Sequence, residues 1–156
     1  MAHVQWSKLR ARLLDLLAPS MRGRVEYRLT KYRPGRHFGP RFWITLDGNE
    51  VFTAHNFWSE IEGNPFWTLS EENRCGDADY VFSTVRLYLD MDPHIALEST
   101  DPILRALAVV DRRIGMRTLA KLDLVNYDHP LVRVLHNARM RGSVKQSPPT
   151  AAARDI

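Results

Sequence analysis

Apolar residues recur at helical spacing near the start of the chain. Trp6, Leu9, Leu13, Leu16 and Leu17 share one face, with Lys8, Arg12 and Asp15 on the other. That spacing predicts an amphipathic helix, stopped by Pro19 and Gly23. The period then changes to two: Val25, Tyr27 and Leu29 alternate with Arg24, Glu26, Arg28 and Thr30, as in a half-buried strand. Pro34-Gly35 and Gly39-Pro40 bracket a loop. A second strand, Phe42 to Leu46, meets a third, Glu50 to His55, through Asp47-Gly48. A type I′ turn there sets Ile44 opposite Val51 and Trp43 opposite Phe52. Moving the turn to Gly48-Asn49 would instead set Asp47 against Glu50, two like charges. Both faces of such a sheet carry large apolar groups, so cover is expected on both sides.

Residues 56–76 have no regular period. Phe57, Trp58, Phe66 and Trp67 stand among Gly, Asn, Pro and Glu, which reads as an irregular connection pinned by its rings. Helical spacing then returns. Asp77 or Asp79 is placed to cap a helix with Phe82, Val85 and Leu89 inward. Asp92-Pro93 and Asp101-Pro102 each read as an N-cap followed by first-turn proline. The helix from Pro102 carries Ile103, Leu107, Val110 and Ile114 in one stripe with Ala106 between. Arg112 and Arg113 suit its C-terminal dipole, and Gly115 can take a left-handed stop. A short segment through Leu119 and Leu122 follows, then a helix capped by Asp128 with Leu131, Val134, Leu135 and Ala138 inward. From Gly142 the composition turns to Ser, Pro, Thr and Ala, so a disordered tail is expected over 142–156. The fold class is therefore α+β, one domain over residues 1–141. A three-stranded antiparallel meander is flanked by the N-terminal helix and a C-terminal group of three to four helices.

Composition narrows the class. With 44% hydrophobic and 26% charged residues among 156, the chain is globular and long enough to bury a real core. The single cysteine, Cys75, forms no internal disulfide and suits a reducing compartment. The longest uncharged apolar run, Ala106-Leu107-Ala108-Val109-Val110, is far short of the roughly 20 residues of a membrane span. Arg10, Arg12 and Asp15 interrupt the first apolar stretch, so no signal peptide is expected and cytoplasmic localisation is. Eighteen of the 22 basic residues are arginine, which a GC-rich genome also produces.

Charge is sorted by position. Residues 1–41 carry ten Lys/Arg against two Asp/Glu, residues 42–101 two against twelve, and residues 102–156 ten against four. Such blocks imply either self-complementary segments or separate surface patches of each sign, and both concern association rather than chemistry.

Several segments resemble an uncharacterised family of small bacterial proteins, a domain of unknown function. They are Gln5-Trp6-Ser7-Lys8-Leu9, Arg22-Gly23-Arg24-Val25, and the hairpin Trp43-Ile44-Thr45-Leu46-Asp47-Gly48-Asn49-Glu50. Ala108-Val109-Val110-Asp111-Arg112-Arg113-Ile114-Gly115 is similar to the family's late helix and His129-Pro130-Leu131-Val132 to its last segment. The chain has Met116-Arg117-Thr118-Leu119 where the family pattern is more basic. The resemblance implies one bacterial intracellular domain and transfers no activity.

The strongest candidate contacts lie on the basic strand and its loop: Arg28, Lys31, Tyr32, Arg33, Arg36, His37 and Arg41. These cations alternate with Tyr27, Phe38 and Trp43. Guanidinium and ammonium groups neutralise phosphates and exposed rings stack on bases, as nucleic acid requires. The competing structural reading turns the rings inward and pairs the arginines with the acidic middle block. Arg112, Arg113 and Arg117 read as ordinary C-terminal charges, and Asp111 as a partner for a neighbouring segment. Asp90, Asp92 and His94 straddle an Asp-Pro cap, so capping explains them better than metal ligation. His129 and His136, seven apart, lie roughly 10 Å apart along a helix, too far to share an ion. His55 beside Asn56 could act as a general base in a cleft. No nucleophile elbow, phosphate-cradling loop or HExxH helix is present.

The leading expectation is a non-enzymatic binding or regulatory protein, with no cofactor or metal, that meets a protein partner through charged surface patches. The alternatives are an RNA- or DNA-binding protein using residues 24–43 and a small hydrolase centred on His55. Helix 1 could also lie on an anionic membrane, though packing on the sheet is the simpler use of its leucines.

Overall fold

A computed structural model of the protein describes residues 5–30, 41–54, 78–124 and 128–142. Helix α1 spans Trp6–Asp15, and a single 3₁₀ turn follows at Pro19–Met21. Strands β1 (Val25–Thr30), β2 (Arg41–Leu46) and β3 (Asn49–Ala54) form an antiparallel sheet in the order β1-β2-β3. Helices α2 (Ala78–Leu89), α3 (Pro93–Glu98), α4 (Pro102–Val109), α5 (Met116–Ala120) and α6 (Pro130–Gly142) complete the chain. The α+β class and the meander are as expected. Gly142, expected to open the tail, still belongs to α6, and the rest of the tail lies outside the described residues.

The hairpin turns at Asp47-Gly48. Both residues have positive φ, 52° and 82°, as a type I′ turn demands. Leu46 pairs with Asn49 and Thr45 with Glu50, but the ladder then shifts by one, setting Ile44 opposite Phe52 and Trp43 opposite Thr53. This corrects the expected Ile44–Val51 and Trp43–Phe52 pairs. Val51 is the extra residue of a bulge, and the reason is facial. Without the bulge, Phe52 and Ala54 would point away from the core face that Phe42, Ile44 and Leu46 occupy. With it, all five are buried, together with Val25 and Tyr27 of β1.

Rings tie the helices to this inner face. Trp6 meets Phe42 edge-on at 5.7 Å, Phe42 meets Phe52 at 6.4 Å, and Phe52 meets His129, just ahead of α6, at 6.1 Å. Arg10 Nε donates to Tyr27 O at 3.0 Å and fastens α1 along β1. Helix α4 runs through the centre with every residue from Ile103 to Val110 buried except Arg105, which is half-buried. The second layer of cover expected over the outer face of the sheet is not supplied by a described element.

Both aspartate–proline starts behave as expected. Asp92 accepts from His94 N at 2.8 Å. Asp101 accepts from Ile103 N at 2.8 Å and Leu104 N at 3.2 Å, while Tyr80 OH donates to its other oxygen. Asp101→Ala is therefore expected to cost about 1–2 kcal/mol of stability, read as a lower urea midpoint at unchanged slope. At the last helix, His129 Nδ1 takes the amide of Leu131 at 3.1 Å, a capping contact expected of Asp128. The Asp128 carboxylate lies 3.4 Å from Arg105 Nε instead.

Two other expectations need correction. Helix α1 ends at Asp15, and Leu17 forms an isolated bridge with Asp111. Helix α4 ends at Val109, and Gly115 has φ −77° as the N-cap of α5 rather than a left-handed stop. One contact explains both: Ala18 N donates to Val110 O at 2.8 Å and Arg112 N to Leu16 O at 2.7 Å. The chain leaves both helices to make that bridge.

Candidate functional site

The bulge and the strand alternation leave Glu26, Arg28, Trp43, Thr45 and Thr53 on the outer face of the sheet. Trp43 is half-buried, and the Arg41 guanidinium lies 4.4 Å from its ring centre, in cation–π contact. Arg41 is fixed there by Glu50 at 2.6 Å and by Thr53 Oγ1 at 3.1 Å. Arg24 grips Asp47 with two bonds, 2.8 and 3.0 Å, and Arg28 pairs with Glu26 along the same strand. Between these pairs lies a shallow hollow of about 310 Å³, lined by Gly23, Arg24, Glu26, Arg28, Trp43, Thr45 and Gly48. The Arg24 hydrogen bond holds the Asp47 carboxyl below the usual carboxylate range, so the pair stays ionised at neutral pH.

Of the sequence candidates, Arg28 and Arg41 come together on this face. Lys31, Tyr32, Arg33, Arg36 and His37 lie outside the described residues, as do His55, residues 56–76 including Cys75, and Asp77. Arginines of the opening block meet carboxylates of the middle block: Arg12 with Asp90 at 3.4 Å, Arg24 with Asp47, and Arg41 with Glu50. Blocks that are segregated along the chain thus interleave in space, and the outer sheet face is a mosaic of both signs. Exposed pairs of this kind add at most about 1 kcal/mol each, so their main effect is on what the surface recognises.

A second polar cluster is buried. Asp111 is 1% exposed, and each of its oxygens is bonded. Oδ1 accepts from Arg113 N at 2.8 Å and Arg113 Nε at 3.0 Å; Oδ2 accepts from Arg113 Nη2 at 2.7 Å and from Tyr88 OH. Burial alone would raise the carboxyl, but these hydrogen bonds outweigh it and hold Asp111 below its ordinary value. Burial, then the Asp111 contact, pushes the Tyr88 hydroxyl up. Arg139, 4% exposed, donates to Val109 O at 2.8 Å, to Asp111 O at 2.6 Å and to Ile114 O. A carboxylate so fully engaged has no lone pair free for a substrate, so the cluster is a structural junction of α2, α4 and α6.

The SF0329 protein family model matches residues 5–80 and 67–140 in two overlapping stretches. The chain belongs to the SF0329 protein family. No curated protein and no solved structure matches it. The family name carries no activity, and the matched stretches contain all the segments on which the resemblance rests. In this SF0329 chain the Asp111-Arg112-Arg113 segment builds the junction, and the hairpin segment builds the outer face with its hollow.

The remaining candidates are accounted for locally. Asp92 caps α3, and its carboxyl is lowered by the His94 backbone amide and then by the His94 ring at 3.1 Å. Asp90 faces Arg12. His136 Nε2 lies 3.0 Å from Leu119 O and ties α6 to α5. Among the described residues no group of three or more His, Cys, Asp or Glu is placed to hold a metal ion, and no helix is long and apolar enough to cross a membrane. Tyr88 and Arg139 were missed by sequence reasoning. The available signal was a charged residue one position past Ala138, on the buried side of α6 with Leu131, Val132 and Leu135.

Proposed function

We propose that the protein is a non-enzymatic binding protein that docks a protein partner on the outer face of its sheet. The observation that carries this reading is Trp43, held by Arg41 at the edge of a hollow ringed by ion pairs of both signs. Tryptophan and arginine dominate the energetics of protein interfaces, where a desolvated ring is surrounded by polar groups that exclude water. The mosaic favours a protein partner over nucleic acid at this face, because Arg28 and Arg41 already have carboxylates and phosphates would be repelled by Glu26 and Glu50. A partner with charges of both signs around an apolar side chain fits best.

The test is a pull-down from the source cells at low and high salt. Wild type is expected to retain a discrete partner, Trp43→Ala to lose at least tenfold of it, and Glu98→Ala, away from the hollow, to behave as wild type. Equal retention by wild type and Trp43→Ala would end the proposal.

A further inference from the structure

Some of the cations left over after internal pairing gather at α5 and α6, while others, Lys8, Arg22 and Arg86, stand on other elements. Among the described residues, Arg117 and Lys121 at α5, and Arg133 and Arg141 on α6, have no carboxylate within ion-pair distance. The two helices adjoin, since His136 Nε2 reaches Leu119 O. Arg117, Lys121, Asn137 and Arg141 are exposed and Arg133 is half-buried. Neither α5 nor α6 contains an Asp or Glu. Arg117 and Arg141 stand in the last turns of their helices and Lys121 is the C-cap of α5, where cations suit the dipole, so helix ends account for part of this placement. Arg133 stands in the first turn of α6, where its charge opposes the helix dipole.

We infer that this face of α5 and α6 binds the sugar–phosphate backbone of duplex nucleic acid, independently of the sheet face and of sequence. Arg133, Asn137 and Arg141 advance about 6 Å per step along the helix. That is close to two phosphates of one strand, which rise about 3.4 Å each. Asn137 adds a hydrogen-bond donor between the two guanidiniums. Neither helix carries Phe, Trp or Tyr, so the face has no platform for unstacked bases, and a duplex fits it better than a single strand.

The experiment is fluorescence anisotropy with a labelled 20-base-pair duplex DNA from 50 to 200 mM salt. Four cations imply a log–log slope of about −3.6, or a loss of about 100-fold in affinity over that range. Arg133→Glu with Arg141→Glu is expected to weaken binding at least tenfold at 50 mM and to flatten the slope by about two. Arg117→Glu with Lys121→Glu should do the same by a separate route, with melting temperatures confirming that both fold. Lys8→Glu, exposed on α1, should bind as wild type. Undetectable binding at 50 mM, unchanged binding by both double variants, or an equal loss with Lys8→Glu would overturn the inference. So would equal competition by polyglutamate, which would assign the face to acidic polypeptides.

Discussion

Asp111→Ala is expected to lower the free energy of unfolding by about 3–5 kcal/mol, a large part of the 5–15 kcal/mol typical of a domain. The change removes a buried charge whose partners stay behind: the Tyr88 hydroxyl, the Arg113 amide and the Arg113 guanidinium all lose their acceptor. Tyr88 is 1% exposed, so water cannot take over from the carboxylate without entering the core. The urea midpoint should fall at unchanged slope, and a loss under about 1 kcal/mol would mean that the junction is not what holds α2 to the end of α4. Acid adds a second readout. The folded Asp111 carboxyl lies below its unfolded value, so its contribution is complete above the ordinary carboxylate range near 4. It is lost as pH falls from there through the folded value. Asp111→Asn, already neutral, should start less stable and show a flatter decline below about pH 4. A parallel decline in both proteins would contradict this.

Arg139→Ala should cost a similar amount, about 3–5 kcal/mol, for a different reason. The guanidinium acts as a C-terminal cap from another helix. The last carbonyls of a helix have no partner within it, and Arg139 supplies one planar fork to Val109 O at the end of α4 and to the Asp111 and Ile114 carbonyls just beyond. Burial lowers its pKa, with the nearby Asp111 charge opposing, and arginine remains charged at any working pH. Alanine takes this donor from the Val109 and Ile114 carbonyls beside a cavity, while Asp111 O keeps the Ile114 amide at 3.1 Å. Lysine keeps the charge but cannot fork, so Arg139→Lys should recover only part of the loss. Full recovery with lysine would show that charge, not geometry, is what the site needs.

Much of the fold was legible because local signals agreed. The Asp47-Gly48 turn, the two aspartate–proline caps and the apolar stripe of α1 each follow from residues close in sequence. What was not legible depended on distant partners. The bulge at Val51 arises because Phe52 and Ala54 must face the same core as Phe42 and Ile44, which the hairpin alone does not reveal. The early ends of α1 and α4 follow from a bridge between Leu17 and Asp111, almost a hundred residues apart. Of the candidate site, Arg41 and Trp43 were visible only as members of an interleaved run of cations and rings, with the strand expected to begin at Phe42 rather than Arg41. That Glu50 and Asp47 would occupy arginines of the opening block depended on the hairpin bringing both blocks onto one face.

Docking at the outer face is tested most directly by a photoreactive side chain substituted at Thr45, inside the hollow, and illuminated in extract of the source cells. A single discrete protein adduct is expected, lost when Trp43 is also alanine and absent when the probe stands at Glu98. Adducts of equal yield from both positions, or none from Thr45, would contradict it.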